Sequence, residues 1–444
     1  MSFAGKAPSR RRELSAGHLA LFAVAAVTGT RPIAQAAHAG PTSVSLWILA
    51  AAGVLLPLSL ACAALTARYP ISGGLYQWAR NDFGPWHGFL CFWMYWVGTA
   101  FWFPAAAIMY VSVGIYGLGS PYSQLADNRA LVLAASLAVI WIALGTNLVG
   151  LSVGKWTENF GAICAWLLLA ALASAAFLVW AKHGSVTPMK IIPAWNWSTA
   201  AFWPNIAMGM TGFELIGMMG DEIADPKRDV PRTALLACLF AGTFYIALTV
   251  GLLVLIQPGN IHELYGLAQA GDAAGRKLGL PVLGPLVAVF IVGNALGQFG
   301  SFGSAASRLP QSAGVDNLLP AAFGRIHPRW GTPHVSMLLL GGVATFLVIA
   351  MQAGESLRGA YEALVSLMVI AGFLPFFYVY ACAWRAGSRG PAAVGAIVTA
   401  VVVAFSAIPP SAVESVGLFE FKLGLGTAGM FASAWLIYRS RRQN

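Results

Sequence analysis

A chain of 444 residues that is 58% hydrophobic and only 9% charged cannot bury its apolar surface within a soluble fold. The composition excludes a soluble globular or disordered protein and indicates an all-α membrane protein that crosses the bilayer many times. The net charge of +10 at pH 7 suits nucleic-acid binding in principle, but the basic residues occupy alternate loops rather than one segment, so no nucleic-acid partner is expected.

In chain order, runs of about 20 apolar residues predict twelve membrane-spanning helices. They lie near residues 15–38, 43–67, 85–116, 130–149, 157–181, 200–223, 232–256, 281–307, 334–352, 360–384, 391–408 and 418–438. The segment AHA at 37–39 resembles the cleavage site of a signal peptide. The charged Arg31 before it and the many spans after it favour a first helix that is retained.

Lysine and arginine residues are unequally divided between alternate loops. If the N-terminus is cytoplasmic, 18 of the 26 lie in cytoplasmic segments, 7 lie outside, and Arg31 falls within the first span. The positive-inside rule therefore predicts cytoplasmic tails at 1–14 and 439–444. Because the sequence carries no recognisable organelle signal, the expected location is the plasma membrane of a bacterium, its inner membrane.

The first span contains the segment TGTRPIAQ, in which Gly29, Arg31 and Pro32 interrupt an apolar run. An arginine at bilayer depth costs roughly 3 kcal/mol on insertion scales, and proline removes a helical hydrogen bond. Exposed backbone at this depth is tolerated where it lines a cavity, and its freed N–H groups are suited to binding a carboxylate. We therefore predict that this segment is unwound and faces a substrate.

A second interrupted span, at 200–223, has Gly209 and Gly212 in its middle and the acidic Glu214 shortly after them. Five helices separate the starts of the two broken spans, so the two units run in opposite directions through the membrane. Paired broken helices are typical of inverted-repeat secondary transporters, whose substrate site lies at the breaks. For each break alone, the alternative is close helix packing through glycine.

Three stretches resemble the amino acid–polyamine–organocation superfamily of permeases. They are ARYPISGGLYQWARNDFGPWHGF at 67–89, GFELIGMMGDEIADPKRDVPRTA at 212–234 and SRLPQSAGVDNLLPAAFGRIHPRWGTPHVS at 307–336. The resemblance implies a LeuT-like ten-helix core at 15–384, in inverted repeats of five helices at about 15–181 and 200–384, and two further helices at 385–438. The segment GFLCFWMYWVGTAFWFPAA resembles the glutamate/4-aminobutyrate antiporter-like branch.

The resemblance also implies that the backbone of the two breaks holds the α-carboxylate and α-amino groups of an amino acid. The substrate-binding residues that it predicts are Thr28, Gly29, Thr30, Arg31, Met208, Thr211, Gly212 and Phe213. The chain departs from many relatives in having TGTR in place of a Gly-Ser-Gly-like run. It also has Met208 and Met210 where several relatives place an aromatic gate. Both departures put a pocket for a large apolar or arginine-type side chain in doubt.

Three ionisable residues are candidates for coupling or gating. Arg31 is expected to contact an acidic substrate group, to pair with Glu214, or to face the outer aqueous mouth. Glu214 is expected to carry the coupling proton. The alternatives for it are a permanently charged partner of Arg31 and a neutral acid bonded to a backbone carbonyl. Glu158 could form an inner gate with Lys155, although a solvated charge at the end of the helix is the favoured interpretation.

The sequence contains no nucleotide-binding loop and no metal-ligand spacing, so no cofactor, metal or enzymatic activity is predicted. The predicted function is secondary active transport of amino acids or related amines by alternating access, with proton coupling or exchange. Ser301, Ser304 and Ser307 leave a sodium-coupled permease as an alternative, although interhelical hydrogen bonds are favoured for them. A channel or an integral membrane enzyme is the alternative from another class, and a homodimer is left open.

Overall fold

The computed structural model describes residues 15–69, 71, 73–119, 122–149, 151–189, 202–221, 223–351, 357–409 and 415–442, and within these ranges it contains helices and turns but no β-strand. The helices of the first half are α1 (Ala16–Val27), α2 (Arg31–Ala37), α3 (Thr42–Arg68), α4 (Gly74–Phe83), α5 (Pro85–Tyr116), α6 (Arg129–Leu148), α7 (Leu151–His183) and α8 (Trp203–Gly209). Those of the second half are α9 (Glu214–Met218), α10 (Pro226–Leu255), α11 (Gly266–Leu278), α12 (Leu283–Val315), α13 (His334–Met351), α14 (Leu357–Arg385), α15 (Arg389–Phe405) and α16 (Val416–Arg442).

Among the described residues, seven helices are long and apolar enough to cross a membrane, or eight if the bent pair of α1 and α2 forms one span. Helices α13 and α15 are shorter but also apolar. The prediction of an all-helical polytopic membrane protein is confirmed, and each of the twelve predicted segments contains helical structure. The number of twelve complete spans stays a prediction, because α8 and α9 are each too short to cross a bilayer. The inverted repeat also stays a prediction.

Close contacts between glycine residues bring the longest helices together. Helix α12 packs along α7, where a Cβ atom on Gly161 would lie 2.4 Å from the Cα atom of Gly297. Helix α14 packs along α5, where a Cβ atom on Gly98 would lie 3.0 Å from the backbone nitrogen of Gly372. Glycine therefore serves helix packing at these positions. Helix α1 packs against α7, α10 and α12, which places its broken end inside the helical bundle.

Helix α4 lies in a connecting segment and packs against the second broken span. The N–H group of Gly73 donates to the carbonyl of Met218 at 3.0 Å, and a Cβ atom on Gly74 would lie 2.7 Å from the carbonyl carbon of Gly217. Arg80 of the same helix forms an ion pair with Asp316, with Nη1 and Oδ2 2.9 Å apart. Helix α4 thus connects α9 to the end of α12.

Candidate functional site

The first span is interrupted where the sequence predicts it. Helix α1 ends at Val27, α2 begins at Arg31, and the two axes differ by 44°. The hydroxyl of Thr28 donates to the carbonyl of Val24 at 2.6 Å. Gly29 donates from its N–H group to Oη of Tyr245 at 2.9 Å, and Tyr245 donates in turn to the carbonyl of Val27 at 3.0 Å. A tyrosine from α10 therefore satisfies two backbone groups that the break leaves without a helical partner.

The second interrupted span meets the first. Helix α8 ends at Gly209 and α9 begins at Glu214. Between them, Gly212 has a φ angle of +112°, a conformation that favours glycine. A Cβ atom on Gly212 would lie 2.6 Å from the carbonyl oxygen of Ala26, in the last turn of α1. The structure therefore brings the two predicted binding segments into contact.

The Gly212→Ala substitution is expected to lower the free energy of unfolding by about 2–3 kcal/mol, because the added methyl group meets the Ala26 carbonyl in a strained backbone conformation. Gly242→Ala in α10 is the matched control, since nothing lies within 4 Å of its Cβ position. Alanine there is expected to preserve or raise stability. Thermal unfolding in detergent measures both variants, and equal melting temperatures would contradict the close contact at Gly212.

Glu214 lies at the junction of the two breaks and is only 2% exposed. Its Oε1 atom accepts a hydrogen bond from Oη of Tyr95 at 2.8 Å. Its Oε2 atom accepts one from the N–H group of Gly212, also at 2.8 Å. Both carboxyl oxygens are therefore engaged, and one of them takes a backbone donor that the break has freed.

Arg31 is also buried, with 5% of its surface exposed, so the interpretation that it faces an aqueous mouth is wrong for this structure. Its Nη1 atom donates to Oδ1 of Asn205 at 2.8 Å, and Asn205 donates to Oε1 of Gln35. These contacts join α2 to α8. Among the described residues, no carboxylate forms an ion pair with Arg31, and the expected alternative of a pair with Glu214 is not formed.

The other predicted substrate-binding residues differ in their surroundings. Thr30 has a buried hydroxyl that lies beside the hydroxyl of Tyr110. The hydroxyl of Thr211 donates to the carbonyl of Met208 at 2.8 Å, and Met208 is partly exposed beside Gly372. Phe213 is fully buried in the core. Met208 is therefore more accessible to a ligand than Phe213.

Glu158 is 7% exposed, so its interpretation as a solvated charge at a helix end is wrong. Ser304 of α12 donates to its Oε1 atom at 3.3 Å, and a Cβ atom on Gly300 would lie 3.3 Å from its Cγ atom. Glycine at position 300 thus leaves room for the glutamate between α7 and α12. The side chain of Lys155, its suggested gate partner, lies outside the described part of the structure.

The three serine hydroxyls of α12 bond chiefly to their own helix. Ser301 donates to the carbonyl of Gly297, Ser304 to that of Ser301, and Ser307 to that of Ser304, at 2.8–3.2 Å. Only the contact of Ser304 with Glu158 has the interhelical character that was expected. No group of three or more histidine, cysteine, aspartate or glutamate residues is arranged to hold a metal ion within the described ranges.

Several polar residues at the breaks were not predicted from the sequence. Each is a tyrosine or an amide side chain within an apolar segment, which is the one signal that could have identified it. These residues are Tyr95, Tyr110, Asn205, Tyr245 and Gln298. Such residues are common in membrane helices, so their type alone does not show which of them lie at the site.

The sequence matches the family described as amino acid permease over residues 14–418. An uncharacterized transporter of Legionella pneumophila is 22% identical over 378 residues, which cover 84% of this chain and 81% of the relative. An uncharacterized transporter of Mycobacterium tuberculosis is 27% identical over 331 residues, covering 74% of this chain and 70% of the relative. A probable agmatine/putrescine antiporter of Lactococcus lactis is 24% identical over 353 residues, covering 78% of this chain and 74% of the relative.

The family match covers nearly the whole described structure, including both interrupted spans, and it confirms the resemblance to the amino acid–polyamine–organocation superfamily. The named relatives are transporters, which points to transport rather than to enzymatic catalysis. Both interrupted spans fall within the matched residues, and this structure brings Gly212 of the second against α1 of the first. The chain accordingly belongs to the amino acid permease family of membrane transporters.

Proposed function

We propose that the protein is a secondary active transporter, which moves an amino acid or a related amine across the bacterial inner membrane by alternating access, with both termini cytoplasmic. The observation that carries this proposal is the contact between the two interrupted spans, where Gly212 lies against Ala26. Interrupted backbone at membrane depth is tolerated around a cavity or within protein, and paired breaks are typical of transporter sites. The half-helices of the two interrupted spans are α1, α2, α8 and α9. A substrate held between them would be exposed to each side of the membrane in turn as these helices tilt.

The environment of Arg31 favours a substrate with an acidic group. Its guanidinium is buried, and in the described ranges it contacts an amide oxygen of Asn205 rather than a carboxylate. A buried charge is costly unless an opposite charge accompanies it, so a substrate carboxylate would be stabilised beside Arg31. One relative is named as a probable antiporter of agmatine and putrescine, which are amines without a carboxylate. An acidic substrate would therefore distinguish this protein from that relative.

Glu214 is the residue that we assign to proton coupling. Its carboxylate holds the N–H group of Gly212, which is a donor that a substrate carboxylate could use. Two anions that need the same donor compete for it, and protonation of Glu214 removes the charge of one competitor. Substrate anion and proton would then bind together. Because Gly212 lies between α8 and α9, protonation of Glu214 would alter the hydrogen bonding at the junction of these two helices.

Uptake into proteoliposomes of the purified full-length protein tests this function. The panel comprises glutamate, glutamine, 4-aminobutyrate, arginine, agmatine and putrescine, with unlabelled counter-substrate inside and with a pH gradient, a sodium gradient or neither. We expect saturable exchange of glutamate or a related acid that a pH gradient stimulates and sodium does not. Stimulation by sodium would instead support a sodium-coupled permease. A folded protein that exchanges none of these compounds would contradict the proposal.

A further inference from the structure

Two of the backbone donors at the breaks are already used by the protein itself. The N–H group of Gly29 is bonded to Tyr245, and that of Gly212 is bonded to Glu214. Tyr245 is firmly held, because its ring stacks on that of Trp47 with the centroids 4.4 Å apart. A carboxylate that enters the site therefore cannot use these two N–H groups without displacing Tyr245 or Glu214.

A side-chain amide from α12 lies at the first break. Gln298 is 4% exposed, and its Nε2 atom lies 3.0 Å from the place that a Cβ atom on Gly29 would take. Its Oε1 atom accepts a hydrogen bond of 2.5 Å from Oη of Tyr110, a residue of α5. This bond orients the amide so that its nitrogen is nearer to the first break than its oxygen, which lies 3.7 Å from the same place.

Among the described residues, the hydrogen bond found for Gln298 is the one its oxygen accepts from Tyr110, and none is found from its amide nitrogen. The buried hydroxyl of Thr30, in the same interrupted segment as Gly29, has the Tyr110 hydroxyl as its neighbouring hydrogen-bonding group there. A buried donor without an acceptor costs free energy, and the loss is recovered when a ligand supplies one. An amide nitrogen without an acceptor, in the same break as the hydroxyl of Thr30, indicates a place for a ligand oxygen.

We propose that Gln298 determines substrate specificity by donating a hydrogen bond from Nε2 to the α-carboxylate of the substrate, next to the hydroxyl of Thr30. This inference rests on the proposed function and names the group that the site recognises. An N–H donor whose orientation is set by Tyr110 binds a carboxylate oxygen and offers nothing to an ammonium group. Arg31 is then left to contact an acidic group in the side chain of the substrate.

Transport of matched pairs of substrates tests the role of Gln298. The members of each pair differ only in the α-carboxylate: glutamate and 4-aminobutyrate, arginine and agmatine, ornithine and putrescine. The full-length wild-type protein is expected to prefer the amino acid of whichever pair it exchanges. Gln298→Leu, which keeps the size and removes the donor, is expected to raise KM for the amino acid by about 10- to 100-fold, as for loss of one hydrogen bond to a charged group. The KM of the amine is expected to change less than about threefold.

Two further variants make the result decisive. Tyr110→Phe frees the amide of Gln298 to rotate and is expected to reduce the preference for the amino acid over the amine. If Gln298→Leu does not fold, this variant tests the role of Gln298 in its place. Gln257→Leu makes the same chemical change at an exposed position and is expected to behave as wild type. Equal losses for amino acid and amine, or a wild-type protein that exchanges only the amines, would overturn the role of Gln298. A wild-type protein that exchanges no compound would overturn the proposed function itself.

Discussion

Replacing Glu214 with glutamine is expected to abolish accumulation driven by a pH gradient and to leave substrate exchange intact. Glutamine has nearly the same shape and its single carbonyl oxygen can keep one of the two hydrogen bonds, from Tyr95 or from Gly212, but it cannot bind and release the coupled proton. One proton per substrate supplies about 1.4 kcal/mol for each pH unit, which permits about tenfold accumulation. In proteoliposomes with the membrane potential held at zero, we expect about tenfold accumulation by the wild type across one pH unit and simple equilibration by the variant.

Two controls separate coupling from a general loss of activity. Tyr95→Phe removes one hydrogen bond to Glu214 but keeps the titrating carboxyl group, so the transport rate is expected to fall while accumulation across the gradient remains. Glu158→Gln neutralises the other buried acid considered for coupling or gating, and coupling is expected to persist. Loss of coupling in Glu158→Gln together with its retention in Glu214→Gln would show that the assignment is wrong.

Arg31→Ala is expected to lower kcat/KM for an acidic substrate by about 100-fold or more, the usual consequence of removing one partner from a buried charge pair. The variant should also transport glutamate and glutamine at similar rates, because the charge that distinguishes them is gone. Arg31→Lys is expected to preserve part of the activity, since it keeps the charge and loses the planar arrangement of donors. Initial rates over a range of substrate concentrations in proteoliposomes measure these effects.

The contact of Arg31 with Asn205 suggests a purely structural role as the competing explanation. Asn205→Ala removes this link between α2 and α8 but leaves the guanidinium in place. If Arg31 contacts the substrate, the Asn205 variant should still prefer glutamate to glutamine, even if its rate is reduced. If Arg31 only holds the two half-helices together, Asn205→Ala and Arg31→Ala will show the same loss and no change in selectivity.

Hydropathy and residue type by themselves determined the membrane class, the helical segments and the two breaks. The predicted segment 85–116 coincides with α5, because a long apolar run in a bilayer must bond its backbone groups within one helix. The breaks could be predicted because their causes are local. Pro32 has no N–H group to donate, and Gly212 adopts a φ angle of +112° that other residues avoid. The family could also be recognised, since its motifs are contiguous in the sequence.

The partners of the groups at the breaks were decided only by the tertiary structure. Gly29 is 216 positions from the tyrosine that binds its N–H group, and Glu214 is 119 positions from Tyr95. The burial of Glu158 likewise depends on Gly300 of another helix. Hydropathy indicates that a segment enters the membrane. Which polar groups meet is determined by how the helices pack against one another. For this reason the sequence could predict the two breaks as a candidate substrate site, while the roles proposed for Gln298 and Arg31 depend on the folded arrangement.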